Sequence, residues 1–166
     1  MIRALLLGLA AASAFTNGAA AQERAWTLRR EPDPAQLAFA TPGASDWGVA
    51  FTCMKDSGQI IAAFPAAQAL GVRQENGLWL DDVGRPAPWP ISVTLSAGPY
   101  QTTIPGEAIV DATGRGSIVR VEFADRAPVA EAFADDGLIR LAGLGEVVEP
   151  PEVPRGELRG FFRYCR

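Results

Sequence analysis

The chain has 166 residues, 48% of them hydrophobic, with 13 prolines and 17 glycines spread along it rather than gathered in repeats. That size suits one domain, since the commonest domains run to about 100–150 residues, and the even spread of Pro and Gly predicts many short elements joined by tight turns. A net charge of −4 with scattered arginines excludes a nucleic-acid surface, and the absence of histidine excludes Ser-His-Asp and Cys-His catalysis and His-ligated zinc.

The N-terminus reads as a signal peptide over residues 1–21. Arg3 supplies a positive charge, Ala4 to Phe15 is an apolar run broken by Gly8 and Ser13, and Ala19-Ala20-Ala21 gives the small-x-small end that places cleavage before Gln22. Twelve residues of apolar run fall short of the roughly 20 that a membrane-spanning helix needs, so no transmembrane segment is expected after processing. No cysteine lies near the cleavage site to carry a lipid, so the mature protein is expected to be soluble. The competing reading makes residues 4–15 a buried core helix. Without Arg3, 14 Arg and Lys stand against 19 Asp and Glu, a net charge of −5 for residues 22–166, which are expected to form a single β-rich domain. One lysine, Lys55, among many arginines, together with the alanine-rich leader, suggests a GC-rich bacterial genome. The expected location is therefore the periplasm, with secretion as the alternative.

An oxidising compartment makes pairing of the two cysteines the expectation. Cys53 and Cys165 lie 112 positions apart, and a loop of that size is worth about 4–5 kcal/mol in the chain-entropy picture. Two free buried thiols or a redox pair are the alternatives, the latter without a Cys-x-x-Cys spacing to lower a thiol pKa.

Along the mature chain, Arg24 to Leu28 predicts a first strand with Trp26 and Leu28 on one face, ended by Pro32 and Pro34. Trp47, Val49, Phe51 and Cys53 alternate with Gly48, Ala50 and Thr52, so Cys53 points into the core. Lys55-Asp56-Ser57-Gly58 turns the chain into a returning strand, Gln59 to Phe64, making residues 46–64 a hairpin. Leu78-Trp79-Leu80 is a short strand, and Pro86 to Pro90 forms an extended connector. Ile91, Val93 and Leu95 alternate with polar residues, Ser96 to Pro99 turns, Tyr100 to Ile104 returns, Pro105-Gly106 turns again, and Ser117 to Phe123 completes a meander. Ala127 to Ala134 predicts a short helix with Pro128 in its first turn and Gly137 at its C-cap. After a strand at Leu138 to Leu141 and a Pro-rich linker at 150–154, Leu158, Phe161, Phe162 and Cys165 form one apolar helical stripe with arginines opposite. The fold class is thus mainly β (β-rich α+β), an antiparallel sandwich or barrel with one short internal helix and a C-terminal helix.

No Walker A, GxGxxG or GxSxG pattern is present, and two cysteines are too few for a structural zinc or an iron–sulfur cluster, so no cofactor, metal or catalytic residue is assigned. The pairs Asp81-Asp82 and Asp135-Asp136 read as solvated turn residues, because adjacent strand residues point to opposite faces. Two distant carboxylates could still meet across a cleft as glycosidases require, which keeps a carboxylate-based hydrolase as an alternative. Calcium at Asp81, Asp82 or Asp111 lacks the EF-hand spacing, and Asp111-Ala112-Thr113-Gly114 departs by one inserted alanine from the Asp-Thr-Gly of aspartic proteases. Trp47 and Trp79 read as core. Trp89, between Pro88 and Pro90, is the tryptophan expected to be exposed and to contact a ligand or partner, in the manner of sugar-stacking rings.

Phe51-Thr52-Cys53, then Gly58-Gln59-Ile60 and Phe64, with a late Cys165, resembles small exported bacterial proteins of uncharacterised function. The early strand cysteine and late cysteine are also similar to the periplasmic lysozyme inhibitors, a family of small β-barrels. Their inhibitory Ser-Gly-x-x-Tyr-like loop is loosely matched by Ser96-Ala97-Gly98-Pro99-Tyr100, which would make Ser96 and Tyr100 partner contacts, while their Trp-x-Lys-Gly segment has no counterpart. The acidic balance suits a basic lysozyme. The reading is a non-catalytic periplasmic binding or envelope-interaction module whose partner is an envelope protein or a small ligand.

Overall fold

The computed structural model describes residues 23–41 and 47–166, with Trp47 described in its backbone alone; the signal-peptide reading over residues 1–21 and the core placement of the Trp47 ring lie outside it. In chain order the elements are β1 (Ala25–Arg29), β2 (Ala35–Ala40), β3 (Trp47–Cys53), β4 (Gln59–Ala66), β5 (Arg73–Glu75), β6 (Leu78–Leu80), β7 (Trp89–Ala97), β8 (Tyr100–Val110), β9 (Ser117–Ala124), α1 (Pro128–Asp136), β10 (Arg140–Gly143), β11 (Glu146–Val148) and α2 (Arg155–Cys165). Nine strands pair antiparallel in the order β1-β2-β3-β4-β9-β8-β7-β10-β11, curled into a half-barrel, and β5 and β6 form a separate ribbon. The mainly β class with two helices follows the sequence pattern.

The curl arises from two ribbons. Strands β1 to β4 run up and down in chain order, and β7 to β9 form a meander that folds back so that β9 pairs with β4 from Gln59↔Ala124 to Ala66↔Ser117. Alternation then sets the faces. Ile60, Ala62 and Phe64 meet Phe123, Val121 and Val119 on the concave side, and all six are buried. Arg120 and Glu122 face outward, where Arg120 pairs with Glu107 at 3.0 Å.

The open side of the half-barrel is filled by the helices. Helix α1 packs on β7 and β8, and α2 lies over β1 and β2. Phe133 of α1 sits between Phe51 of β3, 5.1 Å away, and Phe162 of α2, 6.0 Å away. Fully burying a side chain of this kind is worth about 1.5–3 kcal/mol. The α1 C-terminus closes as the sequence predicts: Gly137, at φ +73°, donates its N–H to the Phe133 carbonyl at 2.8 Å.

The tail is fastened at several points. Cys53 and Cys165 form a disulfide, both buried, with Cα atoms 5.7 Å apart. Gly58 N–H donates to the Cys165 carbonyl at 2.9 Å and Asp56 N–H to the Tyr164 carbonyl at 3.0 Å. The Tyr164 hydroxyl donates to Asp33 at 3.0 Å, and Arg166 Nε donates to the buried Asp125 at 3.2 Å.

Several expectations are corrected. Residues 35–40, to which the sequence assigned no element, form β2, which buries Ala35 and Leu37 beside β3. Pro105-Gly106 is no turn but the middle of β8, which runs on to Val110. Pairing of β8 with β9 starts at Gly106, one residue past the proline, so Pro105 stays outside that ladder. Gly106 is required by close approach, since a Cβ there would lie 2.6 Å from the Arg120 carbonyl oxygen and 2.7 Å from Val93 Cγ2. The strand expected at Leu138 to Leu141 begins at Arg140 and is followed by β11. Leu78 to Leu80 joins no core sheet: it pairs with Arg73–Glu75 across an Asn76-Gly77 turn, leaving Leu78 exposed and Trp79 half-buried. Among the described residues no helix is long and apolar enough to cross a membrane.

Candidate functional site

Between β4 and β7 the chain leaves the sheet for residues 67–88, an excursion that holds the β5–β6 ribbon and folds over the start of β7. A groove of about 390 Å³ lies beneath it, bounded by Leu70 and Val72, by the loop 81–85, by Trp89, Pro90 and Ile91 of β7, and by Leu144 from the β10–β11 turn.

The loop 81–85 is organised around one carboxylate. Asp81 is 5% exposed; its Oδ1 accepts the N–H groups of Val83 at 3.1 Å and Arg85 at 2.7 Å, and its Oδ2 accepts Arg85 Nε at 2.8 Å. Burial alone would raise the Asp81 pKa, but the Arg85 amide and guanidinium and the Val83 amide outweigh it and hold the carboxyl below its ordinary 3.8. Arg85 is thereby gripped through Nε. The Arg85 carbonyl accepts both the Asp81 N–H at 2.9 Å and the Trp89 indole N–H at 3.0 Å, tying the loop to the sheet. Asp82 beside it is exposed, and among the described residues its carboxylate has no hydrogen-bond or ion-pair partner.

Trp89 is therefore placed differently from expectation. It is 3% exposed rather than projecting between its prolines, because Gly71 leaves room for the ring: a Cβ at 71 would lie 3.1 Å from Trp89 Cη2 and 2.7 Å from Val110 Cγ2. It lines the groove floor instead of forming a flat stacking platform. Gly71 and Leu144 come from segments far apart in sequence, and no local pattern marks them.

Ser96 and Tyr100 lie at the other end of β7, about 23 Å along the strand from Trp89 at about 3.3 Å per residue. The three expected contact residues are thus split between two ends of the sheet. Ala97 pairs with Tyr100 across a two-residue Gly98-Pro99 turn, where Gly98 takes φ +52°. Tyr100 is 49% exposed, and Ser96 borders a second depression of about 450 Å³ with Leu138, Arg140 and Glu149. Arg140 pairs there through Nε with Glu149 at 2.7 Å, and the depression holds no further carboxylate such as Asp82 supplies in the groove.

Two further carboxylates, Asp111 and Asp125, are held by their surroundings. Asp111 accepts the Thr113 amide and hydroxyl and the Arg115 amide; burial raises its pKa and these bonds more than offset that, leaving it lowered. Asp125 is buried against Arg166. Asp135 and Asp136 end α1, exposed, rather than forming a turn, and Asp81 is buried rather than solvated. Among the described residues no three His, Cys, Asp or Glu side chains converge to hold a metal ion.

Comparison of the chain with protein families, with curated proteins and with solved structures returns no match.

Proposed function

We propose that this protein is a non-catalytic binding module of the bacterial envelope, working in the periplasm, and that the Trp89 groove is where it takes a small ligand or a segment of an envelope partner. The observation that carries this reading is the groove's lining: an arginine fixed by a buried carboxylate, a carboxylate free of partners and an apolar wall share one cavity. Its volume falls within the range of about 300–1,000 Å³ common to ligand sites. The engagement of Asp81 and Asp111 in their own loops and of Asp125 with Arg166 weighs against the carboxylate-based hydrolase. The processed protein should show saturable binding, read as groove-localised NMR shifts across a small-molecule panel, without turnover of ester, peptide or glycan substrates. Turnover abolished by substituting a single carboxylate would overturn the reading.

A second reading, a lysozyme-inhibitor-like protein, is favoured by the half-exposed Tyr100 at a tight hairpin tip. Micromolar protein would then slow lysozyme clearing of cell walls and Tyr100→Ala would abolish the effect; unchanged clearing removes this reading.

A further inference from the structure

The lining of the groove specifies more than a volume. Its apolar part is formed by Leu70, Val72, Ile91 and Leu144, and Val72 is exposed. Its polar part is a pair of opposite charges three residues apart, on a loop held by the three bonds that Asp81 accepts. Arg85 keeps an Nη edge beyond the Nε that Asp81 occupies, and such an edge takes a carboxylate in a two-point bond. Asp82 offers a carboxylate that nothing among the described residues neutralises. A purely anionic ligand would meet Asp82 as a like charge, and a purely cationic one would meet Arg85. A ligand that carries both charges and an apolar group satisfies every part of the lining.

Resting on the groove reading above, we infer that the site takes a small amphipathic zwitterion with an ammonium, a carboxylate and an aliphatic side chain, the chemistry of an apolar α-amino acid or of a short peptide. The carboxylate meets Arg85, the ammonium meets Asp82, and the aliphatic chain lies along Leu70, Val72, Ile91 and Leu144 over the Trp89 ring.

The test is amide and indole NMR of the processed protein titrated with L-leucine, leucyl-leucine, N-acetyl-leucine, leucinamide and the uncharged N-acetyl-leucinamide. Leucine or the dipeptide should shift the Trp89 indole N–H and the amides of residues 70–72 and 82–91 saturably, and the stronger of the two identifies the free amino acid or the peptide as the source. Removing either ligand charge should weaken binding at least tenfold. Asp82→Asn, at an exposed side chain with no partner to lose, should weaken leucine and leucinamide at least tenfold and leave N-acetyl-leucine unweakened. Arg85→Gln should do the converse. If N-acetyl-leucinamide binds as tightly as leucine, the groove stands as a site and the zwitterion inference is wrong. If no probe moves the groove resonances, or shifts gather at Ser96 to Tyr100, the inference and the groove reading both fail.

Discussion

The tie between Cys53 and Cys165 allows the sharpest test of how the fold is held. Opening it by reduction removes no heavy atom, so the comparison of oxidised and reduced protein reads mainly the covalent constraint. With 112 residues between the two positions, the denatured chain regains loop entropy worth about 4–5 kcal/mol. Domains of this kind are stable by only about 5–15 kcal/mol in all, so about a quarter or more of the stability is at stake. In urea, with a slope of about 2 kcal/mol per molar, the midpoint should fall by about 2 M. The slope itself should rise, because the untied denatured chain exposes more surface. The assay is equilibrium unfolding by circular dichroism and tryptophan fluorescence with and without a phosphine reductant, confirmed with Cys53→Ala/Cys165→Ala. A fall under about 0.5 M in the reduced protein would refute the reasoning. It would mean that the denatured chain keeps its tail near the hairpin without the sulfur tie, so that little loop entropy is regained.

Three further outcomes follow from particular contacts. Gly106→Ala should destabilise by about 1–3 kcal/mol in the same urea assay, because its Cβ would press on the backbone of β9, which has no room to yield. Phe133→Ala should cost about 3–5 kcal/mol, since the ring is fully buried between β3 and α2. For Asp81, whose folded pKa lies below 3.8, the stabilisation is complete above that value and lost as the pH falls through the lower folded value. The melting temperature of Asp81→Asn should therefore lie below that of the native protein at pH 7, and the gap should close as pH drops below about 3.8; a gap independent of pH would contradict the assignment.

Much of the sheet was legible because its strands bury one face, so period-two patterns at 49–53, 91–95 and 117–123 carried both strand and facing, while 59–64 was legible as the strand returning from a turn. The disulfide was legible from two cysteines on apolar faces, and α2 from a stripe that ends in one of them. What failed has a common physical cause. Strand β2 follows two prolines, and Pro105-Gly106 carries the signature of a turn, yet both are settled by what pairs alongside: β3 for one, β9 for the other. Local chemistry also misplaced Trp89. Flanking prolines suggested a projecting ring, whereas its burial depends on the missing side chain of Gly71, 18 positions earlier, and on the carbonyl of Arg85. The candidate groove was invisible for the same reason, since its walls come from three separate stretches that only the tertiary fold assembles.

The position of α2 over β1 and β2 also orders events during synthesis. Leu37 of β2 leaves the ribosome uncovered and Cys53 of β3 without a partner, and the helix that supplies both the cover and the partner cysteine is made about 112 residues later. At about 5–20 residues per second the wait lasts roughly 5–20 s. During that interval the nascent chain is an open sheet with an unpaired thiol, so a holding chaperone and an oxidant that acts late, after α2 has emerged, are what this arrangement asks of its cell.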